Sequence, residues 1–502
     1  MQLISCSSDK MVMLWRPDEA GVWVNRASLG EMGGHTLGFY GAMLSLSGKS
    51  ILGHGFFGAW HVWSRQGSEE DTWTPQAAPT GHFEGIKQVK WHPTGDYCVT
   101  VSSDKSTRVF HTQMQEGHSI YHEMCRPQVH GYEMQCIAFL DADRMVTGAD
   151  EKILRIFEAP SFFRPKMQAM MRGDAFVPSL AQQGVVGAQQ PALGLTNKAI
   201  RGADQRQPQS STDDITAYGT EQVDIVAELK ANAHQMGHAP LEEDLLQFTL
   251  WPELDKLYGH GNELFAVDVS PDAQFIASAS KSVNPDQAGV RIWQRQPETP
   301  EREDLPKVQY LGVQVLAGPT LTVTKVRFSP EGQLLLATCR DRSWHLYRLE
   351  GQVWTPLQSM PKAHSRILWD GCWLSSEAFV TVSRDKSLSI WHRSGSHFAL
   401  SQGWKEEEAI TAVDALTHPR YILTLALYKH DAQCKSKGEH FSLLVWTMAA
   451  LSSTIAPLSG LSGSNCSTYK RTMRTRPLCI AWRSVPVNMK LFCSPLAVKM
   501  VH

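Results

Sequence analysis

The sequence predicts an all-β chain built as a β-propeller, and three observations carry that prediction. The stretch His364–Trp391, HSRILWDGCWLSSEAFVTVSRDKSLSIW, holds three short apolar segments separated by polar turns, the pattern of consecutive strands. The same layout returns along the chain at a spacing of about 40 residues. Most copies close on an aromatic residue that follows a turn containing an acidic residue. A small antiparallel sheet cannot bury both of its faces alone, so copies must stack face to face, and stacking around an axis gives a propeller.

The units can be justified in chain order. A half-copy, LISCSSDKMVMLW, occupies Leu3–Trp15, and a fuller one runs from Gly34 to Trp63. A polar stretch over residues 64–80 follows and reads as a linker. The next copies are Gly81–Phe110 and His130–Phe157. After a break come Gly259–Ser280, closing at Val290, Ile292 and Trp293, then Leu321–Tyr347 and the His364 unit. A looser copy spans Ile410–Trp446, its last turn enlarged by a loop containing Cys434. The expected organisation is therefore residues 1–75 as an incomplete group of units and 76–160 as the first blades of a propeller. An insertion over 161–258 follows, partly disordered, then further blades over 259–446 and an irregular tail over 447–502.

Within this grammar, residue types have structural roles. Asp9, Asp104, Asp150, Asp341 and Asp385 are placed in the turn before the last strand, where Asp tolerates tight backbone and accepts hydrogen bonds from turn amides. His82, His130, His260 and His364 stand near the starts of units, and Trp15, Trp63, Trp293 and Trp391 at their ends. A structural hydrogen bond is the expected role of each His and an inter-sheet filler the role of each Trp. These residues resemble WD40 repeats, with Gly-His early, Asp in the turn and Trp near the close. The closing pairs here are Trp-Arg, Trp-Ser, Phe-His, Phe-Glu, Trp-Gln and Trp-His, so the final Asp of that pattern is missing throughout.

The insertion is rich in Gln, Ala, Gly and Asp over residues 173–237, and ADQRQPQSSTDD at 203–214 has the composition of a loosely held segment. Two pieces differ: PALGLTNKA at 191–199 reads as strand and turn, and LEEDLLQFTLWPELDKLYGHG at 241–261 has apolar residues at helical spacing before Trp251-Pro252. The favoured reading of the second is a segment that packs back on the propeller and leads into the next unit. After Trp446 the alternation stops, and a tail that is out of frame or alternatively spliced is the expectation there. Its basic group Lys470, Arg471, Arg474 and Arg476 is given little weight as an RNA site.

Composition excludes more than it assigns. The chain has 502 residues, 42% of them hydrophobic, with 16 Trp and a formal net charge of −2, which argues against a broad nucleic-acid footprint while leaving room for a local basic patch. Ten Cys are scattered without a CxxC pair, as suits reduced thiols in the cytosol or nucleus, so the Asn465 sequon carries little weight. No apolar run approaches a membrane span, and the first residues lack a leader's basic and apolar regions. Phosphate loops, HExxH, GxSxG and zinc spacings are absent, so no enzyme, metal or cofactor is expected.

Several stretches that the repeat does not require point further. They are GGHTLGFYGAMLS at 33–45, HGYEMQC at 130–136, TGADEKILRIFEAP at 147–160, PALGLTNKA at 191–199, LLQFTLWPELDKLYGHGNELF at 245–265 and HSRILWDGCW at 364–373. Together they resemble the family of second subunits of the Elongator complex, over roughly residues 1–446. That resemblance implies two consecutive seven-bladed propellers, with 3–63 as the last one and a half blades of the first. It implies a non-catalytic scaffold, cytoplasmic and nuclear, in an assembly that modifies wobble uridine of tRNA. Its partners would be the largest subunit and the acetyl-CoA-using catalytic subunit, with tRNA touched weakly or indirectly and no membrane. The alternative is a generic adaptor recruiting protein substrates through a basic top face, for which Arg340, Arg342 and Arg384 are candidates, with Trp251 a further candidate for partner contact.

Overall fold

The computed structural model describes residues 2–30, 38–55, 58–65, 72–115, 118–161, 163, 165, 167–168, 185–189, 196–201, 240–247, 249–297, 309–418, 421–429 and 441–449. The expected disordered core at 203–214 and the tail beyond 449 lie outside these residues. The chain is all-β. Among the described residues there are six four-stranded sheets, two three-stranded sheets and one two-stranded hairpin. Every large sheet is antiparallel, and in all but blade D the paired strands are consecutive in the chain. We label them blades A (residues 3–29), B (39–76), C (86–129), D (134–158 and 253–258), E (264–316), F (323–360), G (368–405) and H (410–449).

The described residues form two compact units, one drawn from 2–258 with 309 and the other from 259–297 with 310–449. In the first, Val12 and Leu14 of blade A pack against Phe39, Ile51, Trp63 and Trp73 of blade B. Blades C and D share a core of Tyr97, Val99, Val101 and Val109 against Met134, Ile137, Met145 and Phe157. In the second, Ala277 and Ile292 of blade E meet Val326, Leu335 and Tyr347 of blade F. Trp344 and Leu346 of F meet Phe379, Trp391 and Phe398 of G, and Val380 and Ile390 of G meet Ile410 and Val413 of H. Each of these cores lies between consecutive blades. This is what the period-2 alternation dictates, because a strand sends alternate side chains to opposite faces and both need a neighbour.

The break in the repeat has a definite place. The insertion leaves blade D after its third strand, Ile153–Glu158, and returns as its fourth, Glu253–Tyr258, paired antiparallel to it. The expected boundary at 258 thus falls at the end of blade D's own outer strand. The helical spacing at 241–250 yields one short helix, Glu242–Gln247, with Leu245 fully buried. Lys198 and Ala199 of the motif at 191–199 open the strand Lys198–Arg201, which pairs antiparallel with Val185–Gln189.

Candidate functional site

The polar side chains singled out by the repeat gather where the second strand, the turn after it and the loop before the first strand of a blade meet. In blade G, His364 has Nδ1 2.8 Å from the Ser387 hydroxyl and Nε2 2.8 Å from that of Thr381. Trp391 Nε1 donates to the same Thr381 oxygen at 2.9 Å. Asp385 accepts from the Ser365 and Ser387 amides at 2.8 and 3.0 Å and from both hydroxyls. Burial pushes the Asp385 carboxyl up, but these donors and the His364 ring outweigh it and hold the group at about 2.

Blade C repeats the arrangement with more charge. His82 lies 2.7 Å from both Asp104 Oδ2 and Thr100 Oγ1. Burial lowers the His82 pKa against the opposing pull of Asp104, so the ring is neutral near pH 7, with Nδ1–H donating to the carboxylate. Asp104 itself is raised by burial and more than compensated by His82, Arg108 and Ser106, ending at about 2. Arg108 also donates to Glu123 at 3.0 Å, and Glu123 accepts from Arg126 at 2.6 and 3.2 Å. Arg126 then forks onto Glu242 of the insertion helix, 2.6 Å on each arm. Burial raises Glu123, but Arg108 and Arg126 hold it at about 2.

The other blades vary the theme. In blade E, His260 Nε2 and Trp293 Nε1 share the Ser278 hydroxyl at 2.7 and 2.8 Å, and burial with the nearby Arg291 charge takes the His260 pKa down to about 4. Blade F has Thr320 in place of the leading His, its amide and hydroxyl both 2.8 Å from Asp341. Blade A keeps the turn, with the Met11 amide donating to Asp9 at 3.0 Å, and Trp15 Nε1 donates to Ser5 at 2.8 Å. Trp63 of blade B is buried edge-on to Phe39, ring centres 5.8 Å apart.

Two expected roles need correcting. In blade D the carboxylate beside His130 belongs to Glu151, 3.1 Å from Nε2, while Asp150 offers its backbone amide to Glu133. Glu151 is one residue further on, in register with Asp104, and Arg155 binds it as Arg108 binds Asp104. Trp251 is unsuited to partner contact, because only 1% of it is exposed and its ring packs on Phe163 with centres 5.1 Å apart. It is a core residue because the strand it precedes completes blade D. Arg340, Arg342 and Arg384 are exposed on the turns of blades F and G. None forms an ion pair with a described residue.

Cys339, Asp341 and His345 bring one ligand-type atom each within 4.8 Å of one another. Ser343 is already hydrogen-bonded to Asp341 and lies 2.8 Å from His345 Nε2, and Ser359 lies 2.8 Å from Nδ1. Both ring nitrogens therefore have hydroxyl partners, which makes the group a turn lock built like those of the neighbouring blades.

The comparisons agree with this geometry. The model of the WD domain, G-beta repeat, matches residues 73–111, 251–294 and 312–348. Elongator complex protein 2 of Danio rerio is 36% identical over 435 residues, covering 83% of this chain and 50% of that protein. The Homo sapiens protein of that name is 36% identical over 409 residues, with coverages of 78% and 48%. The Saccharomyces cerevisiae one is 30% identical over 455 residues, with coverages of 85% and 55%. The chain belongs to the Elongator complex protein 2 family. It spans about half the length of the curated relatives it matches. As a member of that family it is a WD40 protein whose blades are held by His, Ser/Thr, Asp/Glu and Trp locks.

Proposed function

We propose that the chain is a non-catalytic scaffold subunit of Elongator, supporting wobble-uridine modification of tRNA by binding the largest subunit and the acetyl-CoA-using catalytic subunit. The observation that carries this is 36% identity over 83% of the chain to a protein named Elongator complex protein 2. The polar clusters support a role without catalysis, since each described His, Asp and Ser of the blade locks is engaged in holding a turn. Propeller loops offer broad rigid surfaces suited to standard-size interfaces. On this reading the chain works in cytoplasm and nucleus, needs no cofactor and touches tRNA at most weakly. The test is affinity purification of the tagged chain from its native cells. Recovery of the largest and catalytic subunits in fixed proportion supports the scaffold, and recovery of chaperones alone overturns it.

A second reading, an adaptor for anionic protein segments, is favoured by one observation: Arg340, Arg342 and Arg384 are exposed without a carboxylate partner among the described residues. Exchanging all three for Glu would abolish capture of such a segment and leave capture of the Elongator subunits intact. The reverse outcome removes the adaptor reading.

A further inference from the structure

The two motifs that the repeat does not require, around Thr196-Asn197-Lys198 and Leu250-Trp251-Pro252-Glu253, meet at one point of the structure. The outer strand of blade C, His118–Val129, is an edge whose backbone groups need partners. At Arg126-Pro127 those partners come from the insertion. The Arg126 amide donates to Thr249 Oγ1 at 2.9 Å, and the Pro127 carbonyl accepts from the Trp251 amide and from Asn197 Nδ2, each at 3.0 Å. Asn197, 2% exposed, also donates to the Trp251 carbonyl at 2.9 Å, and its own carbonyl accepts from the Glu253 amide at 3.0 Å. Glu253 is the first residue of blade D's outer strand. A single asparagine thus ties the outer strands of two neighbouring blades.

Charge and apolar contacts fasten the same segment. Arg126 forks onto Glu242, both nearly inaccessible to solvent, and Leu245 and Trp251 are buried in full or almost so. Leu257 is the one buried apolar side chain on the outer strand of blade D, which is otherwise held by its ladder to Ile153–Phe157 and by Glu253 on Arg155 at 2.9 Å. The corresponding strands of blades F and G carry Trp354 and Phe398, each 1% exposed.

We propose that the ordered parts of the insertion form a clasp, centred on Asn197 and Glu242, whose docking places blade D's outer strand and covers the blade C edge at Arg126-Pro127. On this inference the two motifs serve an internal joint, and their substitution acts first on that joint.

The test is hydrogen exchange on the full chain carrying Asn197→Ala or the milder Glu242→Gln, with Ser387→Ala in blade G, a lock of the other unit, as the control. The expected result is that the amides of Arg126, Gln128 and 253–258 exchange at least about tenfold faster in Asn197→Ala. Residues 97–102 and 144–149 keep their protection, and Glu242→Gln shows the same pattern more weakly. Unchanged exchange at 253–258 in both variants overturns the proposal. Equal loss across all of blades C and D in the mild variant, or the same pattern in the control, overturns it too.

Discussion

Thr381 shows what a single hydroxyl does in this fold. It is fully buried and faces both His364 Nε2 and Trp391 Nε1. Thr381→Val conserves shape and strips two buried ring nitrogens of their partner, so a loss of about 1–3 kcal/mol is expected. Thr381→Ser should recover most of it, and urea denaturation of the two variants checks this; equal midpoints for wild type and the Val variant would refute the assignment. Arg126 is the charged counterpart. Its guanidinium sits between Glu123 and Glu242, and Arg126→Met strips the buried Glu242 carboxylate of this cation while leaving Glu123 with Arg108 alone. Breaking a buried pair from one side costs on the order of 3–5 kcal/mol. Combining Arg126→Met with Glu242→Gln should cost less than the sum of the single changes, because one of the stranded charges is gone.

At the scale of the element, the turn before each third strand is the feature that repeats most faithfully. Lys10, Lys105, Arg342 and Lys386 each follow a turn Asp and have φ of 72°, 66°, 74° and 70°. A left-handed backbone disfavours side chains with a Cβ and disfavours β-branched ones most. Lys105→Gly should therefore hold or raise the melting temperature, and Lys105→Ile should lower stability by about 1–2 kcal/mol, a difference that thermal melts resolve. These turns explain how much of the fold the sequence reveals. The spacing of His, Asp and a closing aromatic residue marks blade G in full, blade C with Phe110 in place of Trp, and blade E through His260 and Trp293, because each of those residues is used locally, within one blade. The order Ala149-Asp150-Glu151-Lys152 offers two acids, and nothing local says that the second occupies the lock; alignment on Arg155 with Arg108 is the signal that would have found Glu151. Trp251 was opaque for another reason: its burial depends on Pro127, far away in sequence, and on a strand that returns after a long insertion. Local alternation cannot report a partner of that kind. The insertion helix was legible from its spacing, while its docking through Arg126 was not.

For the molecule as a whole, the buried locks make stability depend on pH in two stages. His82, His260 and His364 have pKa values lowered chiefly by burial, His260 to about 4. In the unfolded chain such groups take up protons near 6.5. Between that value and the folded one the unfolded state binds more protons, so stability rises with pH and is lost as pH falls through this window. The carboxyls of Asp104, Glu123, Glu151 and Asp385 form the second stage, each held at about 2. Their contribution is complete above the unfolded value near 4 and disappears as pH falls from there toward 2. The denaturation midpoint should thus be highest near neutrality, decline already between pH 6.5 and 4.5, and drop more steeply below. Arg126 and Arg155, whose pKa values burial lowers and their carboxylate partners raise by more, stay charged across the whole range, so protonating those partners also leaves buried cations unpaired and sharpens the lower stage. His260→Gln keeps a polar group beside Ser278 without a titrating ring. It should flatten the upper window by on the order of 1–3 kcal/mol and leave the lower one unchanged. Urea titrations at constant ionic strength and pH 7, 5.5, 4.5 and 3.5 measure both stages. A wild-type midpoint that stays level from pH 7 to 4.5 would show that the buried histidines are not neutral in the fold, and the lock chemistry assigned to them would have to be withdrawn.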